Sequence, residues 1–150
     1  MKRFLLCLLL AVPCFVFAQM ADRIERLLTQ DRVSYRDAAL LVLEAAGHLE
    51  SARQASADEA FSVAMERGWL PKGAEANSET RLNGLSLLVM QAFEINGGFV
   101  YSLFKNPHYA YRAMVYRSII QGRSDPQMFV SGDLLLYMVN KAMNQITDNK

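Results

Sequence analysis

The residue of this 150-residue chain best suited to binding chemistry is Arg81, which stands where a helix is predicted to begin. A cation is disfavoured there because the amino end of a helix carries partial positive charge. One explanation is an anionic ligand, since the planar guanidinium can hold a carboxylate through two charge-assisted hydrogen bonds. The other explanation is a solvated arginine in the first helical turn. Arg81 is therefore a candidate anion contact.

Trp69 and Asp125 are two further candidate ligand contacts. Trp69 is the single tryptophan and could stack on a sugar ring, although its place in the turn after Gly68 also fits a residue that closes the core. Asp125 and Asp133 flank a turn whose intervening residues lack the alternating oxygen ligands of a calcium loop. One spatial hypothesis follows, that Arg81 lines a concave site with Trp69 or Asp125.

The histidines, carboxylates and serines are not spaced in the sequence in a way that would form an active site or a metal site. His48 and His108 both lie beside predicted helix ends, with no carboxylate pair or second ligand at metal-like spacing around them. The serines at predicted helix starts are better explained as caps than as nucleophiles. The sequence therefore predicts a protein that is not an enzyme, with no cofactor and no metal site.

Aromatic residues are concentrated between residues 99 and 116, which hold six of the eleven Phe and Tyr residues that follow Ala18. Aromatic rings with polar tips suit surfaces that bind proteins or carbohydrate. We expect Tyr109, Ala113 and Tyr116 to pack inward and the segment from Phe99 to Phe104 to cover an open end of the fold. The candidate partner surface consists of Phe99, Tyr101, Phe104, Tyr111 and Arg112.

Helix signals predict an all-α bundle of about six helices. Ser34 and Ser56 each precede an acidic residue by three positions, and Asn106 precedes a proline; both patterns are typical of helix starts. Glycines supply the stops. The predicted helices are 22–30, 34–46, 57–67, 80–94, 107–118 and 131–146.

One apolar pattern occurs three times, starting at Ala38, Leu85 and Leu135. Each copy places apolar residues at i, i+3, i+4, i+7 and i+8, which is one face of a helix. The near-equal offsets between the copies indicate that one helical unit has been reused. We expect the three stripes to pack together on a common axis.

The segment from Met1 to Ala18 is typical of a secretory signal peptide. A basic head precedes an apolar run, and small or aliphatic residues predict cleavage between Ala18 and Gln19. A lipid-modified Cys14 is an alternative, but Pro13 fits poorly before such a site. The apolar run is short for a membrane anchor. The prediction is a periplasmic or secreted protein without a transmembrane anchor after cleavage.

Cleavage would leave residues 19–150 as one domain. Both cysteines fall within the leader, so the processed chain would have no disulfide and no thiol nucleophile. Loss of Lys2 and Arg3 from the 16 basic residues leaves 14 against 15 acidic ones, a net charge of −1. That balance gives no indication of nucleic-acid binding, which needs a concentrated basic face.

Segments of three helical units resemble the S-layer homology family. Residues 118–131, Ser-Ile-Ile-Gln-Gly-Arg-Ser-Asp-Pro-Gln-Met-Phe-Val-Ser, are similar to that family's turn and loop, as are residues 68–73 in part. Thr80-Arg81-Leu82-Asn83 resembles its Thr-Arg-Ala-Glu motif, and residues 33–37 are a weaker match. The resemblance covers most of residues 33–146.

This resemblance implies a pseudo-threefold bundle of two full units and one partial unit, with repeat cores at 33–47, 57–94 and 107–146. The family often attaches proteins to cell-wall polysaccharide, and its Thr-Arg arginine and neighbouring loop groups hold acidic sugar substituents between units. Thr80 and Arg81 would fill that role here. In the other two units, Tyr35 and Gly132 fall near the arginine position, with an alignment uncertainty of a single position.

Two functional hypotheses follow. The first is an exported module that binds cell-wall glycan, either peptidoglycan or an associated polysaccharide, with Arg81 as the anion contact. The second is a structural or adaptor protein of the cell envelope that binds another protein through residues 99–116.

Overall fold

The computed structural model describes residues 22–49, 55–122 and 124–148, and the protein is all-α as the sequence predicts. The helices are α1 at 22–28, α2 Tyr35–Ala45, α3 Ala57–Glu66, α4 Leu82–Ala92, α5 Gly98–Leu103, α6 Pro107–Tyr116 and α7 Gly132–Asp148. The expected leader and its cysteines lie outside the described residues. Within the described ranges, no helix is long and apolar enough to cross a membrane.

The capping signals locate the helix starts correctly. The Ser34 and Ser56 hydroxyls each accept a hydrogen bond from the backbone N–H at the third position after them, and Asn106 caps α6 in the same way. Helix α5 is the one described helix that the sequence pattern missed. It is short and has no side-chain cap, so neither its periodicity nor its ends stand out.

Three buried backbone segments meet in a closed ring of hydrogen bonds. Val33 N–H donates to the Val130 carbonyl (2.9 Å), Val130 N–H to the Thr80 carbonyl (3.0 Å), and Thr80 N–H to the Val33 carbonyl (2.8 Å). All three residues have no exposed surface. Buried backbone groups must be paired to avoid a desolvation penalty, and the ring satisfies one donor and one acceptor at each position. It therefore ties together the segments that lead into α2, α4 and α7.

A second set of bonds links each long helix to a neighbouring loop. The first helical N–H groups of α2, α4 and α7 donate to the carbonyls of Ser78, Met128 and Gln30, at 3.0–3.1 Å. These bonds satisfy donors that the helices themselves leave unpaired. In both sets the donor positions recur along the chain with the offsets of the apolar stripes.

The stripes pack closely near the ring and open at the far end. Ala38, Leu85 and Leu135 are fully buried, whereas Met143, the last stripe position of α7, is 45% exposed. The far ends of the three long helices border an open cavity of about 480 Å³. The short helices lie outside this core, with α3 against α2 and α6 against α4.

We expect Gly132→Ala to lower the free energy of unfolding by about 2–4 kcal/mol, measured by urea denaturation. A Cβ at this position would collide with the Leu27 carbonyl oxygen, which is backbone and cannot swing away. The neighbouring exposed Asp133 serves as control, because Asp133→Asn removes charge without adding volume. Equal losses for the two variants would contradict the packing argument.

We expect Ser118→Gly to raise the free energy of unfolding by about 1 kcal/mol. Ser118 has a left-handed backbone (φ 58°), and the position 50 residues earlier is Gly68, with φ 68°. Glycine tolerates this conformation because it has no Cβ. Ser118→Ala retains the Cβ and should give no gain in the same denaturation experiment; a comparable gain would refute the explanation.

Candidate functional site

Arg81 occupies the N-cap of α4, where a cap usually carries a short polar side chain. Its side chain makes no capping hydrogen bond. By the offsets of the hydrogen-bonded ring, the matching positions are Ser34 and Ser131, whose hydroxyls both accept from first-turn N–H groups. Ser34 and Ser131, rather than Tyr35 and Gly132, are therefore the positions that correspond to Arg81. Because it does not cap the helix, the Arg81 side chain can extend away from it.

Arg81 lines a cleft of about 380 Å³. The start of α2 contributes Tyr35, and the loop before α4 contributes residues 71–74, 78 and 79. Phe129 comes from the loop before α7. Three segments that are distant in sequence thus form the walls, because the ring and the loop bonds bring them to the same place.

The positive charge of Arg81 is not neutralised within this cleft. Its Nη1 atom donates to the Gln127 carbonyl at 2.9 Å, and its Cζ lies 4.9 Å from the centroid of the Phe129 ring. Among the described residues, no carboxylate forms an ion pair with Arg81 or with the cleft residue Lys72. Two cations are therefore available to an anionic ligand.

The one carboxylate that lines the cleft, Glu79, already has a partner. Arg32 Nη1 donates to both Glu79 carboxylate oxygens, at 2.9 and 3.0 Å, and the Arg32 guanidinium also lies 4.2 Å from the Phe129 ring centroid. This pairing balances the charge of Glu79 and holds Phe129 beside two guanidinium groups. The remaining cleft charge is thus positive.

Tyr35 supplies a hydroxyl beside these cations. Burial raises the pKa of Tyr35, while the Arg81 backbone N–H and the positive charge of Arg81 lower it in part. The phenol therefore stays protonated and neutral at physiological pH. A Cβ at Gly84 would collide with this hydroxyl, so glycine in the first turn of α4 leaves the space that Tyr35 occupies.

The structure separates Arg81 from two of the expected ligand contacts. Trp69 is at a different surface, where its ring lies edge-on to His48 at 4.9 Å and beneath the guanidinium of Arg67 at 4.8 Å. Asp125 is exposed and accepts from the Gln127 N–H at 2.8 Å, so it shapes the turn whose carbonyl binds Arg81. The hypothesis that Arg81 lines a concave site with Trp69 or Asp125 is therefore wrong for both companions, although the concave site exists.

Thr80 also lies away from the cleft. Its side chain is fully buried, and its hydroxyl has no hydrogen-bond partner among the described residues. Sequence reasoning missed Tyr35, Lys72 and the role of Phe129. The offsets of the apolar stripes show which positions correspond along the chain. They do not show that the loops carrying these residues lie side by side, which becomes clear only from the hydrogen-bonded ring.

The two histidines have different surroundings. His48 Nε2 lies 2.7 Å from the Ala92 carbonyl oxygen, and Arg67 Nη1 lies 3.1 Å from His48 Nδ1. Since guanidinium can only donate, Nδ1 accepts and Nε2 carries the proton. His48 thus links the ends of α2 and α4, whereas His108 lies exposed on α6 with its ring against Tyr109. Among the described residues, no three or more His, Cys, Asp or Glu side chains are grouped to hold a metal ion.

The aromatic segment is split between surface and core. Phe99 and Phe104 are 83% and 53% exposed, but Tyr101 is 5% exposed and accepts a hydrogen bond from Gln91 Nε2 at 2.7 Å. Tyr101 is therefore a core residue and cannot belong to the expected partner surface. Tyr111 is half-buried and donates to the Ser124 carbonyl, while Arg112 is exposed.

The inward packing expected for α6 is partly wrong. Ala113 is buried and Tyr109 is half-buried against Phe104, with ring centroids 6.0 Å apart. Tyr116 instead is 91% exposed. It is the last residue of α6, and its side chain meets solvent although Met114 and Ile119 on either side of it are buried.

Comparison with known proteins gives no relative to guide the assignment of this site: no protein-family model, curated protein or solved structure matches the chain.

We expect Tyr101→Phe to make stability less sensitive to alkaline pH. Burial raises the pKa of Tyr101 to about 12, and the hydrogen bond from Gln91 lowers it in part. Because the folded pKa exceeds the unfolded value of about 10, the contribution of the neutral phenol is full below about pH 10 and is lost as pH rises toward 12. Urea denaturation on both sides of that range measures the difference.

Tyr116→Phe is the matched control for Tyr101→Phe, because Tyr116 is almost fully exposed. This control should leave the alkaline loss of stability unchanged. The burial argument fails if the two variants show the same pH dependence of stability. It also fails if tyrosinate absorbance of the folded wild-type chain shows no phenol that ionises at high pH and is missing in Tyr101→Phe.

Proposed function

We propose that this protein is an exported, non-enzymatic module similar to the S-layer homology family, and that it binds acidic cell-wall glycan in the cleft around Arg81. The observation that carries the proposal is the cleft itself. It presents the cations of Arg81 and Lys72 without a carboxylate partner in the described part of the chain, beside the Phe129 ring and the Tyr35 hydroxyl.

The chemistry of these groups fits a sugar that carries a carboxylate. Arg81 retains N–H donors beyond the one that binds Gln127, and they can hold a carboxylate through charge-assisted hydrogen bonds. A neutral phenol can donate to a hydroxyl or ring oxygen of the same sugar. Arg81 and Tyr35 combine these two functions within one cleft, and Phe129 holds the guanidinium of Arg81 beside them.

The hydrogen-bond pattern supports a repeat architecture similar to that family. The ring residues Val33, Thr80 and Val130 and the helix starts that follow them recur with the offsets of the apolar stripes. Arginine occupies the N-cap in one unit and serine in the other two, so the proposal is for one anion site in the described part of the chain. Peptidoglycan or an associated polysaccharide is the proposed partner, and the periplasm or cell exterior the proposed location.

The test is co-sedimentation of the protein with purified cell walls at low salt. Arg81→Gln should reduce the bound fraction with a roughly tenfold rise in the apparent Kd, because it removes a charge-assisted contact. Added salt should weaken wild-type binding, since salt screens the exposed cleft.

Arg112→Gln is the matched control, because it removes an exposed guanidinium of α6 that lies outside the cleft. Binding by this variant should equal that of the wild type. The proposal would be contradicted by a protein that stays in the supernatant at low salt, or by equal losses in Arg81→Gln and Arg112→Gln.

A further inference from the structure

Helix α5 turns its apolar side chains toward solvent. Phe99, Leu103 and Phe104 at its end are 83%, 62% and 53% exposed, and Val100 is 49% exposed. Tyr101 is the one buried residue of this short helix, and its bond to Gln91 holds the helix on the protein. Scattered apolar residues on a surface are ordinary, but adjacent large ones mark a surface that binds something.

The next helix, which packs against α5, also exposes cations and aromatics. His108, Arg112, Val115 and Tyr116 of α6 are all exposed, and they follow the i, i+4, i+7, i+8 spacing of one helix face. Lys105, between the two helices, is exposed as well. We call the exposed side chains of residues 99–116 the α5–α6 surface.

Acidic residues are missing from this part of the sequence. No Asp or Glu occurs between Glu94 and Asp125. Helix α4, on which α6 packs, has no charged residue along its length. Neither Lys105 nor Arg112 forms an ion pair with a described residue. Glu94 lines a cavity together with Lys105 and is the one acidic residue there.

We propose that the α5–α6 surface binds an anionic lipid bilayer. Phe99, Leu103 and Phe104 enter the boundary between headgroups and acyl chains, where apolar side chains leave water. Lys105 and Arg112 bind the lipid phosphates, because the negative potential of an anionic leaflet attracts basic side chains close to it. This activity is separate from the Arg81 cleft and does not rest on it.

The composition of the surface favours a bilayer over a protein partner. Lysine is depleted from protein interfaces, whereas Lys and Arg beside exposed Phe and Leu are typical of helices that lie in a membrane interface. An exposed tyrosine also suits this boundary, because its ring is apolar and its hydroxyl stays hydrated. Lys105, Arg112 and Tyr116 fit that pattern around the apolar residues of α5.

The first experiment is flotation of the full chain with vesicles of phosphatidylcholine mixed with phosphatidylglycerol, and with phosphatidylcholine alone. The double variant F99S/L103S should bind the anionic vesicles roughly tenfold more weakly, because two exposed apolar side chains no longer enter the bilayer. The double variant K105Q/R112Q should lose the preference for anionic vesicles. L28S/M65S is the matched control, since Leu28 and Met65 are exposed apolar residues of other helices.

The second experiment tests whether the α5–α6 surface itself contacts the bilayer. It thereby distinguishes this contact from binding by another part of the chain. In Phe99→Trp the new indole should shift its emission to shorter wavelength on anionic vesicles and be quenched by brominated lipid. The wild-type chain provides the Trp69 baseline.

Three results would overturn the proposal. They are the absence of vesicle binding, equal binding by F99S/L103S and L28S/M65S, and a Phe99→Trp emission that vesicles leave unchanged. If F99S/L103S also converts a dimer into a monomer in sedimentation equilibrium without affecting vesicles, a second copy of the chain covers this surface. The chain could instead show no binding to vesicles but bind one purified envelope protein, with F99S/L103S abolishing that binding. In that case the α5–α6 surface binds a protein partner.

Discussion

The fold depends on a ring of three backbone hydrogen bonds among Val33, Thr80 and Val130. These groups are excluded from water, so each unpaired N–H or carbonyl would cost about as much as a lost hydrogen bond. The ring fixes where α2, α4 and α7 begin, and the loop carbonyls then complete the first turns of those helices. Both the core and the Arg81 cleft follow from this one arrangement, because it determines which loop lies beside which helix start.

The backbone hydrogen bonds are the same at all three positions of the ring, but the side chains that follow them in the sequence differ. Ser34 and Ser131 use their hydroxyls for capping, while Arg81 leaves its helix without a side-chain cap. Backbone carbonyls of neighbouring loops accept from the first N–H groups of α2, α4 and α7 alike, so the start of α4 lacks only the side-chain cap. The arginine that stands in place of a capping hydroxyl gives the cleft positive charge.

Local signals in the sequence were sufficient for the all-α class and for most helix ends. Caps such as Ser56 and Asn106 act within one helical turn, and the stripe from Leu85 has the period of a helix, so both can be identified without knowledge of the tertiary fold. The cleft could not be predicted in this way. Tyr35 and Phe129 meet Arg81 through hydrogen bonds between distant segments, and no periodicity encodes that contact. Helix α5 was missed because it is short, has no side-chain cap and exposes its apolar side chains, so it shows neither an end signal nor a buried stripe.

The ring also constrains the order of folding. Val33 and Val130 lie far apart in the sequence, and closing so long a loop costs conformational entropy before any contact at the ring compensates it. The ring cannot form until Val130 has been synthesised. Until then, the backbone groups of Val33 and Thr80 that bond to Val130 have no partner there. The complete ring therefore forms only after the segment that leads into α7 has been made, and the starts of α2 and α4 lack part of their backbone hydrogen bonding until that point.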